Sequence, residues 1–239
     1  MNEENSLIKR SETSLIRIGK SLAITNKLLN EFDRLSETVT EIDGNIYHTV
    51  KIGTQVWMVE NLNVSHFRNG EIIPEAKTAE EWKEAGNKKQ PAWCYYDNNP
   101  DNGKIYGKLF NWYAVNDSRG LAPLGWHIPS DDEWTMLTEF LGGESYAGGK
   151  MKEAGTLHWE SPNYGADNSS GFTAIPGGSR NLNGLFHGIG IAGDFWSVTE
   201  SNCGVWSLDI FYCLESACRK EYKDKNTGYF VRCLRDYFI

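Results

Sequence analysis

The chain has 239 residues, a formal net charge of −8, 13% aromatic residues, nine Trp and 24 Gly. An acidic balance excludes broad affinity for phosphate backbones, which requires a basic face. Abundant Trp beside abundant Gly excludes disorder and points to a loop-rich fold whose large rings fill the space between irregular segments. The opening MNEENSLIKR has neither the apolar run nor the small-residue cleavage site of a signal peptide. No stretch reaches the about 18 apolar residues that a membrane-spanning helix needs. The expectation is a cytoplasmic or virion-associated protein with reduced thiols at its five cysteines. Cys213 and Cys218 have no second cysteine pair, so no metal and no cofactor are expected.

Residues 4–35 read as a helix. Ile8, Leu15, Leu22 and Leu29 recur every seventh position, and Ile18 and Phe32 occupy the complementary core position. Ser11 and Thr25 interrupt the seam. A heptad repeat favours a left-handed coiled coil, so these six apolar residues are assigned to homo-oligomerisation, with a trimer favoured by the broad apolar face. Pairing with a different protein, or packing on its own domain, are the other readings of the same helix. Residues 36–41 are polar and end the repeat. The chain divides into an oligomerising helix and linker at 1–38 and a ligand-binding domain at 39–239.

Asp43-Gly44-Asn45 is a turn, Ile46–Ile52 a strand, Gly53-Thr54-Gln55 a second turn and Val56–Val59 a second strand, together a hairpin. Tyr106–Val115 crowds Leu109, Phe110, Trp112, Tyr113 and Val115 into a short buried helix. Pro129 keeps its predecessor extended, Ser130 and Glu133 form a capping box, and Trp134, Leu137 and Phe140-Leu141 give the following helix its inner face. Gly142-Gly143 stops it, and a second helix is expected over Ala147–Ala154.

The runs DGNIYHTVKIGTQVWMVENLNV, YGKLFNWYAV, GWHIPSDDEW, SSGFTAIPGGSRN, FWSVTES and GYFVRCLRD follow one another across residues 43–236. In these motifs the chain resembles the Fibrobacter succinogenes major paralogous domain. The resemblance implies an α+β, C-type-lectin-like domain with two helices, a small twisted antiparallel sheet and long loops. Both ends of the domain would share one sheet, with Ile46–Ile52 pairing with Tyr229–Arg235. The same fold is used by formylglycine-generating enzymes, but their reactive cysteine pair has no counterpart here. The sugar-binding EPN or QPD triplet of C-type lectins is also missing. Asp97–Asn102 is oxygen-rich; a turn explains it better than a calcium site. His127 reads as a satisfied framework histidine, and Asp131, Asp132 and Glu133 as acids suited to a helix N-terminus. No nucleophile elbow, phosphate loop or dinucleotide fingerprint is present. The domain is therefore read as a non-enzyme.

Between Phe195–Thr199 and Tyr229–Leu234, both strand-like, the chain mixes Cys, aromatic and charged residues without turn motif or clean period. Some relatives by resemblance are variable proteins of diversity-generating retroelements, whose Asn codons are rewritten at adenines. Leu182, Leu185, His187, Ile191, Ala192, Asp194, Cys203, Val205, Ser207, Asp209, Phe211, Tyr212 and Cys213 all belong to the codon set such rewriting reaches. Alternation assigns Leu208 and Ile210 to the core and Ser207, Asp209 and Phe211 to solvent. Trp206, Phe211, Tyr212 and Tyr222 would give contact area, and Asp209, Glu215 and Arg219 polar specificity. The expected partner is a protein or cell-surface ligand, and a phage tail adhesin fits this reading. A non-diversified cytosolic sensor or interaction module, and an enzyme related to formylglycine-generating enzymes, are the alternatives.

Overall fold

The computed structural model describes residues 38–236. The expected helix over 4–35, with Ile8, Leu15, Ile18, Leu22, Leu29 and Phe32, lies outside the described residues. The described chain is α+β, mostly sheet with a few short helices. Strands β1 (Thr38–Thr40), β2 (Ile46–Ile52) and β3 (Gln55–Met58) open it. Helix α1 (Ala79–Asn87), strand β4 (Trp93–Cys94), helix α2 (Pro100–Tyr106), strand β5 (Leu109–Phe110) and helix α3 (Trp112–Val115) follow. Next come β6 (Trp126–His127), α4 (Asp131–Phe140) and α5 (Glu144–Met151). The chain then turns to strands: β7 (Gly177–Arg180), β8 (Phe186–Ile189), β9 (Ala192–Ser201), β10 (Gly204–Phe211), β11 (Ala217–Lys223) and β12 (Leu234–Arg235).

One sheet has the order β1-β2-β3-β12-β6, a second β11-β10-β9-β7-β8, and β4 pairs with β5. The two ends of the domain do share a sheet. The expected pairing of Ile46–Ile52 with Tyr229–Arg235 is corrected, because β3 lies between them and Leu234 pairs with Trp57. The reason is burial: β3 carries the fully buried Trp57 and Met58 and sits at the sheet's centre, whereas β2 alternates with exposed positions and lies between β1 and β3. Only Leu234–Arg235 of the expected last strand is regular. Upstream, the Phe230 amide donates to Asp194 O and Phe230 O accepts from Trp196 N, while Tyr229 and Phe110 exchange backbone bonds. That segment sews the second sheet to the β4–β5 pair.

The capping box at Ser130 forms as expected, with Glu133 returning to the Ser130 amide at 2.8 Å. Helix α5 starts earlier than Ala147 and ends at Met151, because Lys152 turns extended to bridge Ala174. Helices α1 and α2 were not anticipated, although Thr78 and Glu81 form a second capping box and Asn99 caps α2 ahead of Pro100.

The stretch expected to be irregular is an antiparallel meander, β9–β10–β11. Its missing period has two causes. A bulge between Val205 and Ser207 shifts the register. Both faces of β9 and β10 are also covered. Phe195, Leu208 and Ile210 enter a core with Trp57, Trp134 and Phe172, whose Trp57 and Trp134 rings stack at 4.6 Å. Trp196 and Val205 enter a second core with Trp93, Phe110, Trp112 and Tyr229. Three buried indoles find carbonyl partners across these cores: Trp112 on Ser197, Trp134 on Trp196 and Trp196 on Phe110. Leu208 and Ile210 are core residues as expected. Ser207 and Asp209 are not solvent-facing, with 1% and 2% exposure, and Ala192, Asp194 and Val205 are also buried. Alternation fails where a sheet has no wet face.

Candidate ligand-binding face

Lys152 is fully buried just after α5. Its Nζ donates to the carbonyls of Tyr164 at 2.7 Å, Phe211 at 3.2 Å and Leu214 at 2.8 Å. Burial pushes its ammonium down to about 8, opposed by Cys213 and Glu215. Three carbonyl dipoles aimed at Nζ also favour the charged form. One cation thus holds the loop at 157–166 against the β10–β11 turn at 211–216.

A third segment joins them. The β8–β9 turn puts Gly190 at φ +79°, a conformation that favours glycine. Gly190 O accepts from the Glu160 amide at 2.8 Å, and Ile191 O from the Tyr212 amide at 2.9 Å. Tyr212 O in turn accepts from the Tyr164 amide at 2.7 Å, and Glu215 O from Gly149 at 2.8 Å. Asn163, buried behind the loop, donates to the carbonyls of Glu153 and Gly155. These bonds orient side chains outward: Leu157 is 80% and Tyr164 58% exposed, Ile191 and Leu214 are exposed, and Tyr212 is half-exposed. A surface of aromatic and aliphatic side chains on hydrogen-bonded loops suits recognition.

Of the residues expected to form one face, Ile191, Phe211, Tyr212, Cys213 and Glu215 come together here. Leu182 and Leu185 are exposed at the β7–β8 tip, where Gly184 lies against Ala79, and His187 is exposed midway along β8. At about 3.3 Å per residue, Leu185 is roughly 20 Å from Ile191 along the strand. Cys203 and Tyr222 are exposed at the far end of the meander, roughly 25 Å away along β10. Trp206 and Arg219 are engaged elsewhere. The Arg219 guanidinium lies 5.5 Å from the Trp206 ring and bonds Glu144 and Asp131 at 2.5 and 2.9 Å, tying β11 to α4 and α5.

Asp194 and Asp209, cross-strand neighbours, form a buried polar cluster instead of contacts for a ligand. Asp209 accepts from Ser207 Oγ and pairs with Lys223 Nζ, each at 2.7 Å. Burial and then the Asp209 charge push the Asp194 carboxyl up to about 8. Burial depresses the Lys223 ammonium, but Asp209 and Tyr229 together outweigh it and the net shift is upward. The cluster joins β9, β10 and β11.

The other candidate sites have local duties. Asn99 caps α2, Asn102 donates to Tyr96 O and Asp101 pairs with Lys104, so Asp97–Asn102 is spent on turns. His127 bonds Glu133 through Nε2 at 2.8 Å and Asp236 through Nδ1 at 2.7 Å, on the wall of a groove of about 470 Å³. Glu133, against the pull of burial, raises its pKa, and Asp236 adds to the rise. Burial pushes the Cys94 and Cys233 thiols up to about 12 each, while Cys203 and Cys213 are exposed. Among the described residues no group of three or more His, Cys, Asp or Glu is placed to hold a metal. No described helix is long and apolar enough to cross a membrane.

Sequence reasoning missed Lys152, Leu157 and Tyr164. A lone lysine after a helix has no pattern, and only the run LHWESPNY at 157–164, with Trp159 and Tyr164 around the turn formers Ser161, Pro162 and Asn163, marked a presented loop. Residues 50–235 match the model of the Fibrobacter succinogenes major domain. Searches of curated proteins and of solved structures gave no match.

Proposed function

Since the chain belongs to the Fibrobacter succinogenes major domain family over residues 50–235, we propose that it is a recognition protein, binding without turnover. On this reading the scaffold is C-type-lectin-like, and the family's variable surface corresponds to the loops gathered by Lys152. The observation that carries the proposal is the outward set Leu157, Tyr164, Ile191 and Leu214, with half-exposed Tyr212 beside them, on loops fixed by one buried cation. Loops already ordered lose little freedom on binding, so contact area converts into affinity. Retroelement diversification accounts for Ile191, Phe211, Tyr212 and Cys213 at this surface, and a phage tail adhesin is the setting that needs it. The heptads of residues 4–35 would assemble such faces into a homo-oligomer, multiplying a weak single contact by about 10² to 10⁴.

The test is binding of the labelled full chain to bacterial cells, compared with the double variant Tyr164→Ser, Tyr212→Ser. Binding is expected to fall at least about tenfold, and Tyr164→Ser alone, at a side chain 58% exposed, separates lost contact from the packing that Tyr212 makes on the core. Equal binding by the two proteins refutes the face. Diversification is tested in the flanking DNA: it requires a reverse transcriptase gene and a near-copy of the region coding residues 180–235 that differs at adenines. Light scattering with and without residues 1–38 tests the oligomer, and a monomeric full chain refutes it.

A further inference from the structure

The chemistry around this face is one-sided. From Glu153 through Cys218 the sequence contains a single Lys or Arg, Arg180. Arg180 is buried, its guanidinium committed to the carbonyls of Ala76, Thr78 and Gly184. Lys152 is sealed beneath the loops. The face therefore offers no accessible Lys or Arg of its own from this stretch. It does offer acids: Glu160 is exposed beside the Gly190 turn, and Glu215 is half-exposed in the β10–β11 turn. Glu153, by contrast, is occupied by His158 at 2.9 Å.

We propose that the face takes a cationic polypeptide segment, one bearing Arg or Lys, as its ligand; this rests on the recognition reading above. Each part of the surface fits such a side chain. The rings of Tyr164 and Tyr212 can hold a guanidinium or ammonium over their faces. Ile191, Leu157 and Leu214 can cover the aliphatic stem. Glu160 and Glu215 supply the opposite charge, and complementary charge sets selectivity and encounter rate. A polyanion would meet these two carboxylates and, from residues 153–218, no exposed Lys or Arg, which is costly.

The probes are short fluorescent peptides alternating Arg with Leu, and matched peptides with Gln or Glu in place of Arg, titrated against the full chain by anisotropy. The Arg peptide is expected to bind, to weaken as salt rises, and to lose about three- to tenfold in affinity with either Glu160→Gln or Glu215→Gln. Tyr212→Ala should weaken it further, and Glu80→Gln on α1 should change nothing. Among the described residues Glu160 makes no side-chain hydrogen bond or ion pair, so its variant tests charge even where Tyr212→Ala perturbs folding. Equal binding of the Gln peptide with continued dependence on Tyr212 overturns the charge inference and leaves the face intact. Preference for the Glu peptide, or no Arg-peptide binding at about 1 mM, also overturns it. Arg-peptide binding that ignores both tyrosines refutes the face itself.

Discussion

Replacing Lys152 by Met keeps most of the side-chain volume and removes the ammonium. Three buried carbonyls, on Tyr164, Phe211 and Leu214, then lose a charged donor. At about 2 kcal/mol for each bond to a charged group, the loss is about 6 kcal/mol. Relief of burying the ammonium offsets part of it. The fall from 10.5 to about 8 is worth about 3 kcal/mol. The net expectation is a destabilisation of about 3 kcal/mol at pH 7, read as a lower urea midpoint in tryptophan fluorescence. The pH dependence supplies a second check. The unfolded lysine holds its proton up to 10.5 and the folded one releases it near 8, so the unfolded state binds more protons between these values. Stability from this group therefore rises with pH across that window. The parent should gain on the Met variant from pH 8 to 10.5. A variant as stable as the parent at pH 7 would refute the idea that the ammonium gathers these loops, and a difference that does not widen with pH would refute the depression of its pKa by burial.

The remaining predictions concern the framework. His127 needs both N–H groups to bond Glu133 and Asp236, so its charged form is the bonded one. Its raised folded pKa means that this contribution is complete below 6.5 and is lost as pH rises through the folded value; His127→Ala should remove about 1 kcal/mol at acidic pH and less at pH 9. In the buried cluster, Asp209→Asn should cost about 2–3 kcal/mol at pH 7, because it strands the Lys223 ammonium. Asp194→Asn should not destabilise and should gain on the parent at pH 7, since the amide replaces a carboxyl that is ionised in the unfolded chain and must take up a proton to fold. Its folded value of about 8 against 3.8 also means that the parent, and not the Asn variant, loses stability from this group as pH climbs from 3.8 to about 8. Equal costs for the two substitutions would contradict this division of protons. Gly148→Ala in α5 would stabilise an isolated helix by about 1 kcal/mol. Here its Cβ would lie 2.2 Å from Ser216 O, so chemical denaturation should show a loss of about 2–3 kcal/mol.

Much of the framework was legible because it depends on neighbours in sequence. The Ser130–Glu133 box, the Ile46–Met58 hairpin and the inward Trp134 and Leu137 of α4 each follow from spacing over a few residues, whereas Phe140, expected on the same inner face, is 64% exposed. The same logic was available at Thr78–Glu81 and Asn99-Pro100, where α1 and α2 begin. The candidate face was legible only at Ile191 and Phe211–Cys213, which stand beside strand ends. Ala192, Asp194, Val205, Ser207 and Asp209 were misplaced because a polar residue on a strand looks the same whether water or a second core covers it.

By itself, the sequence determined the α+β class, the family, the helix caps and the lack of bases from Glu153 to Cys218 save Arg180. These are properties of composition and short spacing, and folding does not alter them. Only the tertiary structure decided which side chains face water. It covers both sides of the β9–β10 pair and draws in Asp194 and Asp209. It also brings the carbonyls of Tyr164, Phe211 and Leu214 to Lys152 from up to 62 positions away. Such convergence is set by long-range packing, and a backbone carbonyl leaves no mark in the sequence to announce it.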